Sequence, residues 1–220
     1  FGNGKDAPYG AFQMVGTLHI DHQLPSNENV TEYERVLSLN NAVAHTRFSN
    51  DGTIYTREYF ASHAHDVLVI RLSADKKRSI SFEATLHRPE RGNVRVEGDA
   101  LVMEGQLNDG RDGDSGVRYL TRLEIIPAGG TLSSEGESLS IAEADEAMIV
   151  VSTSTNMLDD NHAETVDRLL TKAKGERFSG LQTKHQQAYQ EKFHRVELFL
   201  GEQDNETATD QRLARFQEDD

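Results

Sequence analysis

Cysteine is absent from the 220 residues, and its absence excludes several kinds of chemistry. A chain without thiols has no disulfide framework, no thiolate nucleophile and no cysteine-bound zinc. The same absence is compatible with both the cytosol and the periplasm. Disulfide cross-links and thiol chemistry therefore play no part in what this chain does.

Long apolar runs are also lacking. No stretch approaches the roughly 18 apolar residues that a membrane-crossing helix needs, and no signal-peptide pattern is visible. The chain starts at Phe1 with the glycine-rich stretch FGNGKDAPYGAF and ends with LARFQEDD, inside a helix-like pattern. We therefore expect both ends to be cuts within a longer protein, so that a missing export signal says nothing about location.

Positive charge is in short supply, with 23 lysines and arginines against 37 acids and a net charge of -14. Because such a surface repels phosphates, nucleic acid is a disfavoured partner. The charge selects no other partner. With 36% hydrophobic and 27% charged residues, the chain can still build a real core, and wholesale disorder is not expected.

The first 155 or so residues are patterned as short strands. SNDGT at 49–53 and Gly98-Asp99 each separate two apolar runs, as in hairpins. DVLVIRLSA is a nearly continuous apolar run, typical of a strand buried on both faces. Turn signals recur about every 8 to 12 residues with no helix between them, which predicts an antiparallel sandwich rather than a βαβ fold.

The period changes near Asn156, where helical spacing replaces alternation. NHAETVDRLLTKAKG predicts a helix that stops at Gly175, and a second helix is expected to begin at Ser179 as its cap. VELFLG at 196–201 predicts a short strand, and Thr209 or Asp210 is expected to cap a third helix. The prediction is a β-sandwich domain over 1–157 and a helical linker with a short strand over 158–220.

The loop NDGRDGDSG at 108–116 is the most suggestive local cluster, because Asp109, Asp112 and Asp114 could ligate calcium. A helix–loop–helix calcium site needs a glutamate at the twelfth position, but counting from Asp112 that position is Leu123. A solvated turn between strands is the favoured interpretation. A glycan-contacting role for the loop is the alternative.

Histidine pairs give a weak metal signal. His63 and His65, in SHAHD, would point the same way if the strand continued. No third ligand stands at a recognisable spacing, so a pair of turn histidines is favoured. His19 and His22, in HIDH, fall on opposite faces of a strand and are weaker still.

No residue is assigned a catalytic role. The sequence has no G-x-S-x-G, no phosphate-binding glycine loop and no H-E-x-x-H. A catalytic pair cannot be chosen among 37 acids, since separation in space decides the roles of acid and base. Asn29 and Asn205 match the N-glycosylation pattern, but such matches are common by chance. No metal, no cofactor and no named substrate-binding residue is predicted.

Three blocks taken together resemble one family. YERVLSLNNAVAHTRFSNDGTIYTREYFASHAHDVLVIRLSADK, the preceding GTLHIDH and the later HQQAYQEKFHRVELFLG are similar to the N-terminal domain and linker of glycoside hydrolase family 95. The family contains α-L-fucosidases and α-L-galactosidases. The order and spacing of the blocks, across most of residues 9–216, carry the resemblance.

The resemblance implies a β-super-sandwich whose helical linker leads into an (α/α)6 barrel. It implies hydrolysis of terminal α-L-fucosyl or α-L-galactosyl linkages with inversion, a glutamic acid as general acid, and an aspartate that activates water together with asparagines. Those residues would lie in the barrel, after the last residue of this chain. The oligosaccharide would be bound there, the sandwich would pack on the barrel, and the loop at 105–118 would shape the rim. A periplasmic or secreted location follows as an expectation.

The alternative is a non-catalytic carbohydrate-binding sandwich. Such modules commonly expose aromatic rings as sugar platforms, whereas this chain has no tryptophan and only 7% aromatic residues. Tyr9, Tyr55 and Tyr119 remain the candidate sugar contacts.

Overall fold

Two antiparallel sheets and a helical segment make up the computed structural model, which describes residues 14–26, 28–107, 116–157, 159–199, 201 and 207–218. Within those residues there are twelve strands and three helices. The strands are β1 Thr17–His22, β2 Val30–Ser38, β3 Val43–Asn50, β4 Thr53–Ser62, β5 Val67–Ala74, β6 Ile80–His87, β7 Asn93–Glu97, β8 Ala100–Gln106, β9 Arg118–Ala128, β10 Thr131–Glu135, β11 Ser138–Ala144 and β12 Glu146–Thr155. The helices are α1 His162–Lys174, α2 Phe178–Phe193 and α3 Thr209–Glu218.

The larger sheet has eight strands in the order β2-β3-β4-β5-β12-β9-β8-β7, and the smaller has four in the order β1-β6-β11-β10. Every pairing between described strands is antiparallel. The predicted fold class, an antiparallel sandwich followed by helices, is confirmed. The small sheet packs over part of the large one.

The main core lies between the sheets, where alternate residues of each strand face inwards. Ile80 and Phe82 from the small sheet meet Leu101, Leu123 and Ile149 from the large sheet, all fully buried. Burial of large apolar side chains at this density stabilises each strand in its register, since a shift by one residue would expose the whole set.

Strand β5 is buried on both faces, as its apolar run predicts. Ile70 and Leu72 belong to the core between the sheets. Val67 and Val69 belong to a second core, which the helices form on the outer face of the large sheet. β5 lies between β4 and β12 near the middle of that sheet, and Leu68 is its exposed residue.

The second core explains why the helices follow the strands. Val166 and Leu170 of α1 and Leu181 of α2 are fully buried against the large sheet, with Val69 and Val150 beneath them. The helical spacing of these apolar residues gives each helix one buried stripe. Most of the stability of helices this short comes from such packing rather than from propensity.

Both predicted hairpins are present. Asp51 and Gly52 connect β3 to β4, and both have positive φ, at 47° and 69°. Gly98, with φ of 61°, stands between β7 and β8, which pair in register. These turns use the residue types for which left-handed backbone costs least.

The prediction that α1 stops at Gly175 is confirmed, since Gly175 is its C-cap, with φ of -69°. Two other local predictions about the helical segment are wrong. The second helix begins at Phe178 after Arg177, not at Ser179. Residues 196–199 have no regular secondary structure, and residue 200 lies outside the described residues, so the predicted short strand at 196–201 is not seen. Within 196–199 the alternation finds no neighbouring strand to pair with, and a strand needs one.

Gly130 offers a stability test at the β9–β10 turn. It has φ of 70°, and a Cβ there would lie 2.4 Å from the carbonyl oxygen of Ala142. Gly136 has φ of 58° with open space around it. We expect Gly136→Ala to lower the free energy of unfolding by about 1 kcal/mol and Gly130→Ala by about 2 kcal/mol, from left-handed strain alone and from strain plus clash. Urea unfolding checks this; equal losses would contradict the clash.

Candidate functional site

The C-terminal half of α2 is fastened to the β2–β3 turn. The Tyr189 hydroxyl donates to the carbonyl of Leu39 at 2.6 Å, and the Gln190 amide donates to the carbonyl of Asn40 at 3.1 Å. His194 Nε2 lies 2.7 Å from Asn40 Oδ1. We call this set of contacts the junction, because it joins the sheet to the helical segment. Hydrogen bonds to carbonyls in a turn fix the angle at which α2 leaves the sheet.

A ladder of rings runs along α2 from the core to the junction. Phe60 of β4 stacks on His185 at 4.7 Å, and Tyr189 stacks on Phe193 at 5.0 Å, both measured between ring centroids. His185 is buried, and its Nε2 lies 3.0 Å from the carbonyl oxygen of Ala42. An open groove of about 530 Å³ borders the ladder. This face of α2 therefore packs on the chain's own large sheet.

Solvent-exposed apolar side chains lie on either side of the junction along the chain. Leu39 is 64% exposed, and Val196 and Phe199 are 83% and 75% exposed. Leu37 and Leu198 are also largely exposed. These five largely exposed apolar side chains therefore lie at or next to the junction along the chain.

An ion network stands beneath α2. The Arg71 guanidinium donates to Glu58 at 3.1 Å and to Glu146 at 2.5 Å. Its carbon Cζ lies 4.9 Å from the centre of the Phe178 ring, and the Gln182 amide donates to Glu58 at 3.4 Å. Arg71 therefore links β4, β5, β12 and α2. The sequence carries a signal for it, a single charge inside the apolar run of β5.

Two clefts open between the sheets beside β1. One of about 580 Å³ is lined by Gly16, Leu86, Met103 and Val151. The other, of about 370 Å³, contains Arg57. Leu18 and Leu68 line both clefts, so the clefts adjoin. Arg57 donates to Nδ1 of His22 at 3.0 Å.

His22 is held neutral in this setting. Burial, together with the nearby positive charge of Arg57, lowers the pKa of its imidazole from 6.5 to about 4. The ring meets Tyr55 edge-on at 5.1 Å. His19 lies on the exposed face of the same strand, 6.4 Å from His87 between ring centroids. The prediction that His19 and His22 face opposite sides is confirmed.

The histidine pair of SHAHD is a turn pair, as favoured. β4 ends at Ser62, so His63 and His65 do not share a strand face. His65 is buried; its Nδ1 lies 2.9 Å from Ser62 Oγ and its Nε2 lies 3.3 Å from Glu176 Oε1. Its two ring nitrogens are thus used to hold the β4–β5 turn to the start of α2. In the described part of the chain, no three histidine, aspartate or glutamate side chains gather as metal ligands would.

Two of the tyrosines that could contact sugar in a carbohydrate-binding sandwich, Tyr55 and Tyr119, are not available as sugar platforms. Tyr55 and Tyr119 are 2% and 5% exposed. The Tyr119 hydroxyl donates to the carbonyl of Arg91 at 2.8 Å. Both rings belong to the core between the sheets. Alternation places them on the inner face, which the sequence alone could not distinguish from the outer one. Tyr9 lies outside the described residues.

The loop at 108–116 connects two paired strands. β8 and β9 remain in register to Gln106 and Arg118, and the amide of Leu107 donates to the carbonyl of Val117 at 2.8 Å. Asp109, Asp112 and Asp114 lie outside the described residues, as does Asn205. Asn29 is exposed and donates to Asp51 at 2.9 Å. None of the helices that the structure describes combines the length and apolar character needed to cross a membrane.

Known proteins share both the sequence pattern and the fold. Residues 1–160 match the family model described as glycosyl hydrolase family 65, N-terminal domain. Alpha-L-fucosidase 2 of Arabidopsis thaliana is 29% identical over 252 residues, covering 96% of this chain and 29% of the relative. "Probable alpha-fucosidase A" of Aspergillus niger is 25% identical, covering 90% of this chain and 26% of the relative. The chain thus spans less than a third of the relatives' length.

A solved structure, of a candidate kojibiose phosphorylase from the human microbiome, superimposes with a TM-score of 0.54 at 12% identity. It covers 78% of this chain, which spans 27% of that one. At this identity the likeness concerns the fold alone. The family model carries the number 65, whereas the sequence blocks resemble family 95. Both relatives are named α-fucosidases, which is an activity that the resemblance implies. The family model matches most of this chain, which therefore belongs to the family described as glycosyl hydrolase family 65, N-terminal domain.

Proposed function

We propose that this chain is the N-terminal part of a glycoside hydrolase that removes terminal α-L-fucosyl or α-L-galactosyl groups from oligosaccharides. Membership of the N-terminal domain family supports the hydrolase class. The names of the two relatives, both α-fucosidases, support the fucosyl linkage. Inversion, and a reacting pair of carboxyl groups in a helical barrel of the longer protein, follow from the resemblance to family 95.

The role proposed for residues 1–220 is to carry and orient the catalytic part. The observation that carries this role is the exposed apolar surface around the junction, formed by Leu37, Leu39, Val196, Leu198 and Phe199. Covering such side chains would stabilise a docked helical domain by about 25 cal/mol for each Å² of apolar surface removed from water. The division into a sandwich over 1–157 and a linker over 158–220 belongs to the same proposal.

The helical segment suits a rigid linker. α1 and α2 bury their apolar stripes on the large sheet. The junction also ties the last turns of α2 to the β2–β3 turn. A helix fastened along its length transmits the orientation of the sheet to whatever follows it. The sandwich would then support one face of the barrel and contribute to its rim through the loop at 105–118.

The test compares residues 1–220 with the longer protein on p-nitrophenyl α-L-fucoside and α-L-galactoside. We expect nitrophenol release from the longer protein only, because general acid and base groups must lie on both sides of the glycosidic bond. The β-L-fucoside is the matched control. Hydrolysis by residues 1–220 alone would contradict the assignment of the chemistry. Proton NMR of the first-formed sugar anomer tests inversion.

A periplasmic or secreted location is part of the proposal, since the proposed substrates are oligosaccharides of host or plant origin. Cell fractionation of the native host, with detection of the protein in the periplasm or medium, tests the location. Recovery in the cytosolic fraction only would contradict it.

A further inference from the structure

The smaller inter-sheet cleft combines apolar walls with a single positive charge. Its volume is about 370 Å³, and Leu18 and Ile20 of β1 face Tyr59, Leu68 and Ile70 of the large sheet across it. Within the described residues, β1 pairs with β6 alone and is therefore an edge strand of the small sheet. Arg57 is the charged residue of the lining.

Arg57 has no carboxylate partner among the described residues, although the chain has 37 acids. Six other arginines do form carboxylate pairs: Arg47, Arg71, Arg78, Arg95, Arg122 and Arg195. The partners of Arg57 are Nδ1 of His22 and the ring of Phe48, whose centre is 5.2 Å from the guanidinium carbon. Both are neutral.

Donors around Arg57 are also left unused. Nε of Arg57 and Nε2 of His22 are both shielded from water and have no hydrogen-bond partner in the described structure. A cation on the inner face of a sandwich loses hydration, and a shielded donor without an acceptor costs about 1–3 kcal/mol. Register places Arg57 opposite Leu72 of β5, which is fully within the core. The position is therefore costly unless an acceptor occupies the cleft.

We propose that this cleft is a carboxylate-binding site, in which Arg57 pairs with the carboxylate and Leu18, Ile20 and Leu68 contact an apolar body attached to it. Guanidinium groups bind carboxylates through two parallel hydrogen bonds, which matches the unused donor capacity. His22, kept neutral, acts as a positioning residue because its Nδ1 accepts from the guanidinium. The proposal does not depend on the hydrolase activity.

Octanoate is the probe, and octanol is its neutral match. By titration calorimetry on residues 1–220 at pH 7, we expect octanoate to bind at least about tenfold more tightly than octanol. A tenfold difference in affinity is about what one charge-assisted hydrogen bond contributes. Arg57→Gln should remove this preference. Arg47→Gln, on the neighbouring strand and paired with exposed Glu32 at 3.7 Å, should keep it. Equal binding of octanoate and octanol, or an unchanged preference in Arg57→Gln, would overturn the proposal.

Methyl NMR on the unsubstituted chain gives a test that does not depend on the folding of a variant. Octanoate should shift the methyl signals of Leu18, Ile20 and Leu68. Shifts confined to Leu39 of the junction and the nearby Leu37 would place the ligand elsewhere and overturn the site.

Two sources can supply the carboxylate: a free organic acid, or an aspartate or glutamate in an extended segment of the longer protein that lies along β1. The same titration on the longer protein separates them. Retained octanoate binding supports a free acid. Loss of binding, with recovery of binding when an acidic residue of that segment is replaced, supports the protein's own side chain.

Discussion

Replacement of Arg71 by alanine is expected to lower the free energy of unfolding by about 3 kcal/mol, because it leaves two carboxylates without their shared cation. Glu58 lies directly across from Arg71 on β4, and Glu146 approaches it from β12. The side chains of all three are at least two-thirds shielded from solvent. Once the guanidinium is gone, the two negative charges face each other in a setting where water screens them poorly.

The helix contact adds to this loss. The Arg71 guanidinium lies over the ring of Phe178 at the start of α2, and Gln182 bonds to the same Glu58 that Arg71 holds. Alanine at 71 would therefore loosen the first turns of α2 as well as the strand pairing. A cation over an aromatic ring of this kind contributes about 0.5–2 kcal/mol.

Urea unfolding followed by circular dichroism measures the effect. Arg195→Ala is the matched control, since Arg195 pairs with Glu191 one turn away on an exposed face, with both side chains mostly in water. We expect its loss to stay below about 0.5 kcal/mol, as for other exposed pairs of this spacing. A loss for Arg71→Ala as small as that of the control would show that the network contributes no more than a surface pair.

The fold class was predictable because the apolar residues alternate, as in strands, up to about residue 155 and follow helical spacing after it. Alternation with turn residues every 8 to 12 positions gave the antiparallel sheets, and the unbroken apolar run of β5 indicated burial on two sides. The helix boundaries were less accessible. Arg177 at the cap position of α2 makes no side-chain capping bond, so the preference for serine pointed to the wrong residue. Tertiary packing of Phe178, which is buried, decides where that helix starts.

The strand predicted at 196–201 failed for a related reason. Alternating Val196, Glu197 and Leu198 satisfy a strand pattern, yet a strand exists only with a partner. No described strand lies alongside. The exposed side chains of Val196 and Leu198 instead form part of the apolar surface around the junction. A local pattern reports which conformations a segment tolerates, and contacts distant in sequence decide which one it adopts.

The polar sites were only half visible in the sequence. Arg57 lies on the same strand face as Tyr55 and Tyr59, but the sequence alone could not tell whether that face points inwards. Arg71 interrupts an apolar run, so its charge was conspicuous. The partners of the two arginines were not, because Glu146 follows Arg71 by 75 residues and His22 precedes Arg57 by 35. The junction joins residues 150 positions apart. Spacing rules for motifs act over one turn or one hairpin, so contacts of this range stay hidden until the sheets are assembled.

Acidification from pH 7 to pH 4 is expected to cost about 3 kcal/mol of unfolding free energy through His22 alone. Burial and the charge of Arg57 together lower the pKa of the folded imidazole from 6.5 to about 4. Between these two values the unfolded chain binds a proton at His22 and the folded chain does not. Stability from this group is therefore present above about pH 6.5, is lost as the pH falls from there through about 4, and changes little at still lower pH.

The difference between the wild-type chain and His22→Gln isolates this contribution. Glutamine is neutral throughout, and its side-chain oxygen can still accept from Arg57. Asp159 and Glu176, whose pKa values are lowered by hydrogen bonds from Thr165 and Lys184, are common to both chains and cancel. Urea unfolding at half-unit steps of pH should give parallel stabilities above pH 6.5 and a gap that closes by about 3 kcal/mol towards pH 4. A constant gap would mean that His22 titrates alike in both states, and that water reaches the ring despite the sheets around it. Because a carboxylate at Arg57 would offset the charge that opposes protonation, saturating octanoate should raise the pH at which the gap closes, which ties the titration of His22 to the occupancy of the cleft.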